Sequence, residues 1–381
     1  MQICYTLLSP TFEMHQYTAD LANRMAQAGH DVHLVTLSHA PLDRYIPAVT
    51  VHTPVDTVRA ESILESLKFA GLRKVRKTIL DIDPDVVHFS GPHIWNLSLM
   101  RGLKARGLPV MHTIHTIDPP WGSSHGALIR LWNRWVVRTA DHILVHGQTF
   151  VQRLLEMGIS REQVTSMPLL HLFIGGSWLG AFPDLTASVE YQPWALFFGR
   201  LKPYKGVEYL ISACAMMKTD KSFPGRVIIA GFGDLSQYWG GSLPARLEIH
   251  NRQINDEEAM DLFCRCGLVV LPYIDASQSA LIAAAYYFRK PVIVTRTGAL
   301  PEYVREGETG FIVEPDHPAA LARCLERVLD DPVKLERMGS SGRAWYEVQR
   351  KAQETILIRV YARLAEAKNA AAPMDSSSRR L

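Results

Sequence analysis

Short apolar runs recur along the chain with amphipathic stretches between them. They begin QICYTLL, DVHLVTL, VTVHTPV, DVVHFS, PVMHTIH and HILVHG, and after an interruption they resume as WALFFGR, GRVIIAG, RLEIHNR, LVVLPY, PVIVTR and GFIVEP. Near-continuous apolar runs of this length predict strands buried on both faces. The intervening stretches carry helical spacing. From Asp20 to Ala28, for example, Leu21, Ala22 and Met25 fall on one side, and the pattern stops at Gly29. Repeated strand and helix alternation predicts a parallel sheet with right-handed crossovers, and two such series predict two doubly wound α/β domains. Ligands in these sheets bind beyond the carboxyl ends of the strands, so two facing domains place a site in the cleft between them.

The periodicity is lost between about Phe173 and Pro193, where Gly175, Gly176, Gly180 and Pro183 cluster. This predicts a first domain over 1–172, a linker over 173–193 and a second domain over 194–345. A C-terminal helix over 346–367 is expected to cross back to the first domain. The small, polar tail over 368–381 is expected to be disordered.

Composition agrees with this division. A chain of 381 residues is longer than one core usually grows, and 47% hydrophobic with 21% charged residues is ordinary for a globular protein. A formal net charge of +3 is too small to argue for nucleic acid, so local patches matter more than the sum. The five cysteines, Cys4, Cys214, Cys264, Cys266 and Cys324, are scattered and lack the paired spacing of a zinc site, which fits packing roles in a reducing cytosol. The opening MQICYTLLSP has no basic leader and soon turns polar at Thr11, Glu13 and His15, so a cytoplasmic protein without a secretory signal is expected. No apolar run approaches the roughly 20 residues needed to span a bilayer.

Candidate chemistry concentrates in FFGRLKPYKGVEYLI. Phe197 and Phe198 end an apolar run, Arg200 and Lys205 lie on the connecting turn, and Gly206 admits the backbone to the next helix. A planar guanidinium, an ammonium and a helix N-terminus together suit a phosphate. The plainer alternative is a solvated loop with two surface cations. In the first domain His115 ends PVMHTIH and should emerge at the cleft edge, where an imidazole that titrates near neutral pH can hydrogen-bond a ligand. His112 reads as core. Asp118 follows closely enough to orient a hydroxyl or act as a base, and His146, ending HILVHG, shares the strand-end position. Gly231 and Gly233, in AGFGDL, let the backbone approach a ligand or simply form a turn.

Two basic stretches stand apart from these motifs. Lys68, Arg73, Lys74, Arg76 and Lys77 alternate with Leu67, Phe69, Leu72 and Val75, and ALIRLWNRWVVRTAD places Arg130, Arg134 and Arg138 beside Trp132 and Trp135. Such composition suits an anionic membrane surface, against the alternatives of a solvated helix face for the first and a packed core helix for the second. No nucleic-acid motif accompanies these residues.

Six strings of the second half, in order, resemble the nucleotide-sugar domain of the retaining GT-B glycosyltransferases of family 4. They are FFGRLKPYKG, AGFGDL, INDEEAMDLF, VVLPY, KPVIVTRTGALPEYV and GETGFIV. The first half resembles the acceptor domain more loosely, through AQAGHDVHLVT, DPDVVHFSGPH, HTIHTID and TADHILVHG. The resemblance implies two Rossmann-like domains across a cleft and transfer of a hexose from a nucleotide diphosphate sugar to a hydroxyl of a glycan or lipid-linked glycan. It implies that Arg200 and Lys205 hold the diphosphate, that His115 contacts the sugar, and that no metal or further cofactor is needed. It also implies a retaining reaction by front-face attack, assisted by the departing phosphate.

Three places call for comment. The two glutamates usual in the family fall on Ala276 and Ala284, which cannot take over a carboxylate's hydrogen bonds. Asp275, Ser277, Gln278 and Ser279 line the start of the next helix and are candidates to meet a phosphate or sugar hydroxyl, with helix capping by a serine as the alternative. The SQS-type loop resembles a sub-branch of the family. The family's N-terminal glycine pair falls on Phe12 and Glu13, which narrows the approach to the donor. Glu302, in GALPEYV, occupies a position the family keeps acidic and is expected either to face the nucleotide sugar or to cap the following turn. A sugar-nucleotide epimerase on the same fold and a catalytically silent GT-B binding protein are the competing readings.

Overall fold

The computed structural model describes residues 1–9, 11–56, 69–118, 126–172, 191–218, 223–238 and 242–371. Residues 173–190 of the expected linker, 372–381 of the expected tail and Lys68 of the first basic stretch lie outside the described residues.

The apolar runs form two fully parallel sheets. The first holds β1 (Gln2–Leu7), β2 (Asp31–Leu37), β3 (Val49–Val55), β4 (Val86–Phe89), β5 (Val110–Thr113), β6 (His142–Val145) and β7 (Val164–Ser166), in the order β3-β2-β1-β4-β5-β6-β7. The second holds β8 (Trp194–Phe198), β9 (Arg226–Gly231), β10 (Leu247–Asn251), β11 (Leu268–Leu271), β12 (Val292–Thr295) and β13 (Gly310–Val313), in the order β10-β9-β8-β11-β12-β13. Each reverses direction once, between β1 and β4 and between β8 and β11, and these reversals open the crevices where such sheets take ligands.

Helices cover both faces because successive strand residues point to opposite sides. In β1, Cys4 joins one core layer while Ile3 and Tyr5 join the other. The Cys4 layer is closed by α2 (Phe69–Ile82), α3 (Asn96–Lys104), α4 (Gly126–Thr139) and α5 (Gln148–Glu156). The opposite layer is closed by α1 (Phe12–Gln27). The second sheet is wrapped by α6 (Val207–Met216), α7 (Asp256–Arg265), α8 (Ala280–Tyr287) and α9 (Pro318–Leu329).

One further helix, α10 (Pro332–Ala371), is 40 residues long and belongs to both cores. Leu335, Met338 and Tyr346 pack in the second domain, whereas Leu357, Val360, Tyr361 and Leu364 pack on the α1 face of the first. The helix runs unbroken through 345 and continues past 367, where Lys368 Nζ bonds Asp83 Oδ1 at 2.8 Å and Pro84 O at 3.0 Å. Among the described residues no helix is long and apolar enough to cross a membrane.

Candidate functional site

At the reversal point of the second sheet, β8 delivers its chain into a loop that begins at Gly199 and tightens into a 3-10 turn over Pro203–Lys205. Gly206 follows with φ +66°, and a Cβ there would stand 1.9 Å from Pro272 O, so only glycine lets the turn pass the β11 loop and enter α6. Gly231 and Gly233 have a use other than meeting a ligand. Cβ atoms at these positions would fall 1.9 Å from Gly199 O and 2.6 Å from Leu201 O, so both glycines seat the cation-bearing loop against the end of β9.

That loop carries three cations, Arg200, an exposed Lys202 and Lys205. Arg200 is exposed, and its Nη2 lies 3.5 Å from Oε1 of Glu13 in the first turn of α1. Lys205 is half-buried, with Nζ 5.4 Å from the ring centre of Tyr273. Burial, the largest influence, pulls the Lys205 ammonium below the usual lysine range; Tyr204 and Glu13 oppose the shift and Arg200 adds to it. Glu13 therefore faces Arg200 and Lys205 from the other domain. Phe12, its neighbour, is turned outward beneath the Arg44 guanidinium, 3.9 Å from the ring centre.

The β11 loop faces this turn. Asp275 donates its backbone N–H to Tyr204 O at 3.3 Å, and Gly298, at φ +50°, packs so closely that a Cβ would touch Ala276 O at 1.8 Å. Ala276 and Ala284 are both buried, Ala284 completely. Close packing thus occupies the space that glutamate side chains would need. Ser279 is the N-cap of α8, its Oγ accepting from Leu281 N at 3.3 Å, so its hydroxyl is engaged in capping. Ser277 and Gln278 are half-buried, and Gln278 Oε1 is enclosed without a hydrogen-bond partner among the described residues.

Glu302 is exposed and caps a helix other than its own turn. Its carboxylate accepts from Gln148 N at 2.5 Å and from Thr149 N and Oγ1 at 2.8 and 2.7 Å, capping the N-terminus of α5 across the cleft. Next to it Tyr303 donates its hydroxyl to His146 O and accepts from Leu169 N, both at 2.8 Å. The strand ends of the first domain are thereby tied to the second.

On the first-domain side, Tyr17 of α1 is the hub of an imidazole cluster. Ring centres of His115, His146 and His171 lie 4.7, 5.3 and 5.9 Å from it. Burial holds all three below the ordinary histidine value, to about 4 for His171. A neutral His115 donates from Nε2 to Ser90 O at 2.9 Å, which leaves Nδ1 as an acceptor. His146 donates from Nδ1 to Met167 O at 3.1 Å, and its buried Nε2 has no partner among the described residues. His112 is core: it is buried, bonded to Asn96 Nδ2 and stacked on Phe89. Asp118 is exposed and paired with Arg153 of α5 at 3.3 Å.

Arg200 and Lys205 suit an anion, and the neutral His115 keeps Nδ1 as an acceptor suited to a hydroxyl group. Tyr17 and His171 were absent from the sequence expectations. A tyrosine inside a helix and a histidine beyond the last strand of a domain carry no motif; only the turn of α1 toward the strand ends unites them.

Residues 13–169 match the glycosyl transferase 4-like domain and residues 192–331 the glycosyl transferases group 1 domain. A D-inositol 3-phosphate glycosyltransferase of Streptomyces griseus is 31% identical, with 87% of this chain and 80% of that protein covered. Its namesake in Corynebacterium glutamicum is 32% identical, with 86% and 85% covered. A sucrose-phosphate synthase from Thermosynechococcus elongatus superposes with a TM-score of 0.73 at 20% identity, covering 96% of this chain and all (100%) of that one. Anabaena HepE in complex with UDP-glucose gives 0.66 at 18% identity, covering 97% and 100%. Two Rossmann-like sheets facing across a cleft are the GT-B architecture of glycosyltransferases. The chain belongs to the group 1 glycosyltransferases, family 4.

Proposed function

We propose that this chain is a retaining hexosyltransferase that moves a hexose from a nucleoside diphosphate sugar to a hydroxyl of a glycan or lipid-linked glycan, in cell-surface polysaccharide or glycolipid synthesis. The observation that carries the reading is the pairing of Arg200 and Lys205 on the glycine-seated loop at the reversal of the second sheet. In the proposed reaction the bond between the sugar's anomeric carbon and the β-phosphate oxygen breaks, and its electron pair leaves with the diphosphate. The acceptor hydroxyl attacks the same face and passes its proton to the departing phosphate oxygen. Arg200 and Lys205 meet the developing charge, so the reaction is proposed to need no metal ion. His115 accepts a hydrogen bond from the sugar through Nδ1, while Ser277, Gln278 and Asp275 bound the donor from the β11 loop. The relatives' name adds a phosphorylated cyclitol to the acceptors this chain is proposed to use.

Removing one fixed donor from such a site costs about 2.7–4 kcal/mol of transition-state stabilisation, roughly a hundred- to thousand-fold in rate. Arg200→Ala is expected to lose that much in kcat. A thermal-shift panel of UDP-, GDP- and ADP-sugars tests the site directly, since a ligand at 100 times its Kd stabilises by about 2.7 kcal/mol. An undiminished shift in Arg200→Ala would place the donor elsewhere. Epimerised free sugar nucleotide appearing without acceptor would favour the epimerase, and ligand binding without turnover on any donor the silent protein.

Work at an anionic membrane surface belongs to the same proposal. On the outer face of the first domain α2 carries four cations, α3 two and α4 three, and Asp81 is the one acid within these three helices as described, while Asp141 pairs with Lys104. Leu128, Leu131 and Trp135 form an exposed apolar stripe on α4 amid these charges. Neutralising Arg73, Lys74, Arg76 and Lys77 is expected to weaken flotation with anionic vesicles, and salt should release the native protein. Unchanged partitioning would remove the membrane from the reading.

A further inference from the structure

A row of buried hydrogen bonds joins α10 to the imidazole cluster. Tyr361 of α10 shares one bond with the hydroxyl of Tyr5 of β1, at 2.9 Å, and another with Nδ1 of His88 of β4, at 2.7 Å. His88 Nε2 lies 2.8 Å from Oγ1 of Thr113 of β5, and that oxygen lies 3.3 Å from the hydroxyl of Tyr17. All five side chains are buried, and burial, the main cause, keeps the imidazole neutral by pushing His88 down to about 3.

The protons fix the direction of this row. Each hydroxyl brings one and a neutral imidazole brings one, so five groups supply five protons to four bonds. One proton is left over at one end. At the Tyr5 end it would be stranded, because among the described residues the Tyr5 hydroxyl meets only Tyr361. At the Tyr17 end an acceptor lacks a donor. His146 donates from Nδ1 to Met167 O, its buried Nε2 has no partner among the described residues, and its ring centre lies 5.3 Å from that of Tyr17. Buried donors are seldom left unpaired, so the extra proton belongs on Tyr17. Tyr5 then donates to Tyr361, Tyr361 to His88 Nδ1, His88 Nε2 to Thr113, and Thr113 to Tyr17.

We propose that Tyr361 is a positioning residue for His115, acting through His88, Thr113 and Tyr17. Tyr361 fixes the His88 proton on Nε2, which makes Thr113 a donor to Tyr17 and anchors the Tyr17 hydroxyl. The Tyr17 ring stands edge-on to His115, with centres 4.7 Å apart. Helix α1 grips His115 a second time, since Thr18 Oγ1 lies 2.7 Å from Oγ of Ser90, whose carbonyl accepts from His115 Nε2 at 2.9 Å. Because α10 also packs in the second core, through Leu335, Met338 and Tyr346, the row carries the placement of the shared helix to the imidazole proposed to meet the sugar. That purpose rests on the transferase reading; the positioning itself does not.

Long-range nitrogen–proton NMR spectra of the full chain, labelled with nitrogen-15 histidine, read the tautomer of each ring without any substrate. His88→Gln and His115→Asn assign the signals. His88 is expected to carry its proton on Nε2, and His115 to give one set of nitrogen signals. Tyr361→Phe keeps the ring that packs against Tyr5 and His88 and removes only the hydroxyl, and it is expected to shift or double the His115 signals. Thr113→Val cuts the row beyond His88 and should do the same; it carries the comparison if Tyr361→Phe does not fold. Added to Tyr17→Phe, Tyr361→Phe should leave the His115 signals where Tyr17→Phe alone puts them, which a disturbance spread by packing would not do. The proposal is overturned if His88 carries its proton on Nδ1, if neither variant moves the His115 signals, or if Tyr361→Phe moves them equally with and without the Tyr17 hydroxyl. Signals that respond as expected in a protein without transfer activity would remove the transferase reading and leave the positioning standing. Transfer by a protein whose His115 signals ignore both variants would do the reverse.

Discussion

Glu13 stands against the guanidinium that is proposed to grip the leaving diphosphate, at a position where the family resemblance points to glycine. Donor and Glu13 then compete for Arg200, and the carboxylate also repels the incoming phosphates. Exposed ion pairs are worth about 0.2–1 kcal/mol, so Glu13→Gln is expected to tighten binding of uridine or guanosine diphosphate by up to about fivefold. Calorimetry with the native and variant proteins measures this, and Arg200→Ala should erase the difference. Equal or weaker binding by Glu13→Gln would mean the pair does not oppose the donor. The strings around Arg200 and Lys205 made this half of the cleft legible, because buried strand, cations and glycine follow one another along the chain. What faces it was not legible. Glu13 read as an obstruction, and Glu302 as facing the nucleotide sugar or capping its own turn; their partners, 187 and 154 residues away in sequence, leave no local trace.

The strands were legible as elements because burial on both faces removes polar residues from them. The exception is β7, Val164–Ser166, whose three residues are too few to show a pattern and which is recognisable only by pairing with β6. Burial on both faces also has an electrostatic consequence where strands carry histidine. Burial, the main cause, pushes His88 of β4 and His112 of β5 down to about 3, and His171 beyond β7 to about 4. The unfolded chain takes up these protons near pH 6.5, while the folded protein refuses them until far lower. The stability they contribute is whole above pH 6.5 and falls as pH drops toward 4, by about 1.4 kcal/mol per pH unit for each imidazole. Urea midpoints at pH 7.5, 6.5 and 5.5 should therefore decline below 6.5. A flat series would show that the imidazoles take up protons in the folded state.

In the whole molecule α10 joins the two cores. Arg350 meets Asp20 of α1 through two bonds, at 2.6 and 2.8 Å, and also hands its carbonyl to Arg24. Burial raises Asp20, but Arg350 outweighs it and holds the carboxyl below its ordinary value. Arg350→Ala leaves that carboxylate buried and unpaired, and is expected to cost about 3–5 kcal/mol in denaturant unfolding. A cost under about 1 kcal/mol would mean water replaces the guanidinium. Two domains were readable from the repeated alternation, whereas a helix shared by both was expected only as a separate segment from 346, because nothing in its sequence marks where one core ends. Tyr361 completes the first sheet's face, bonding Tyr5 at 2.9 Å and His88 at 2.7 Å. On the ribosome the first domain emerges early, yet this face stays open until nearly the whole chain has been made. At about 5–20 residues per second, that interval lasts some tens of seconds, during which the nascent protein presents an uncovered apolar surface to chaperones.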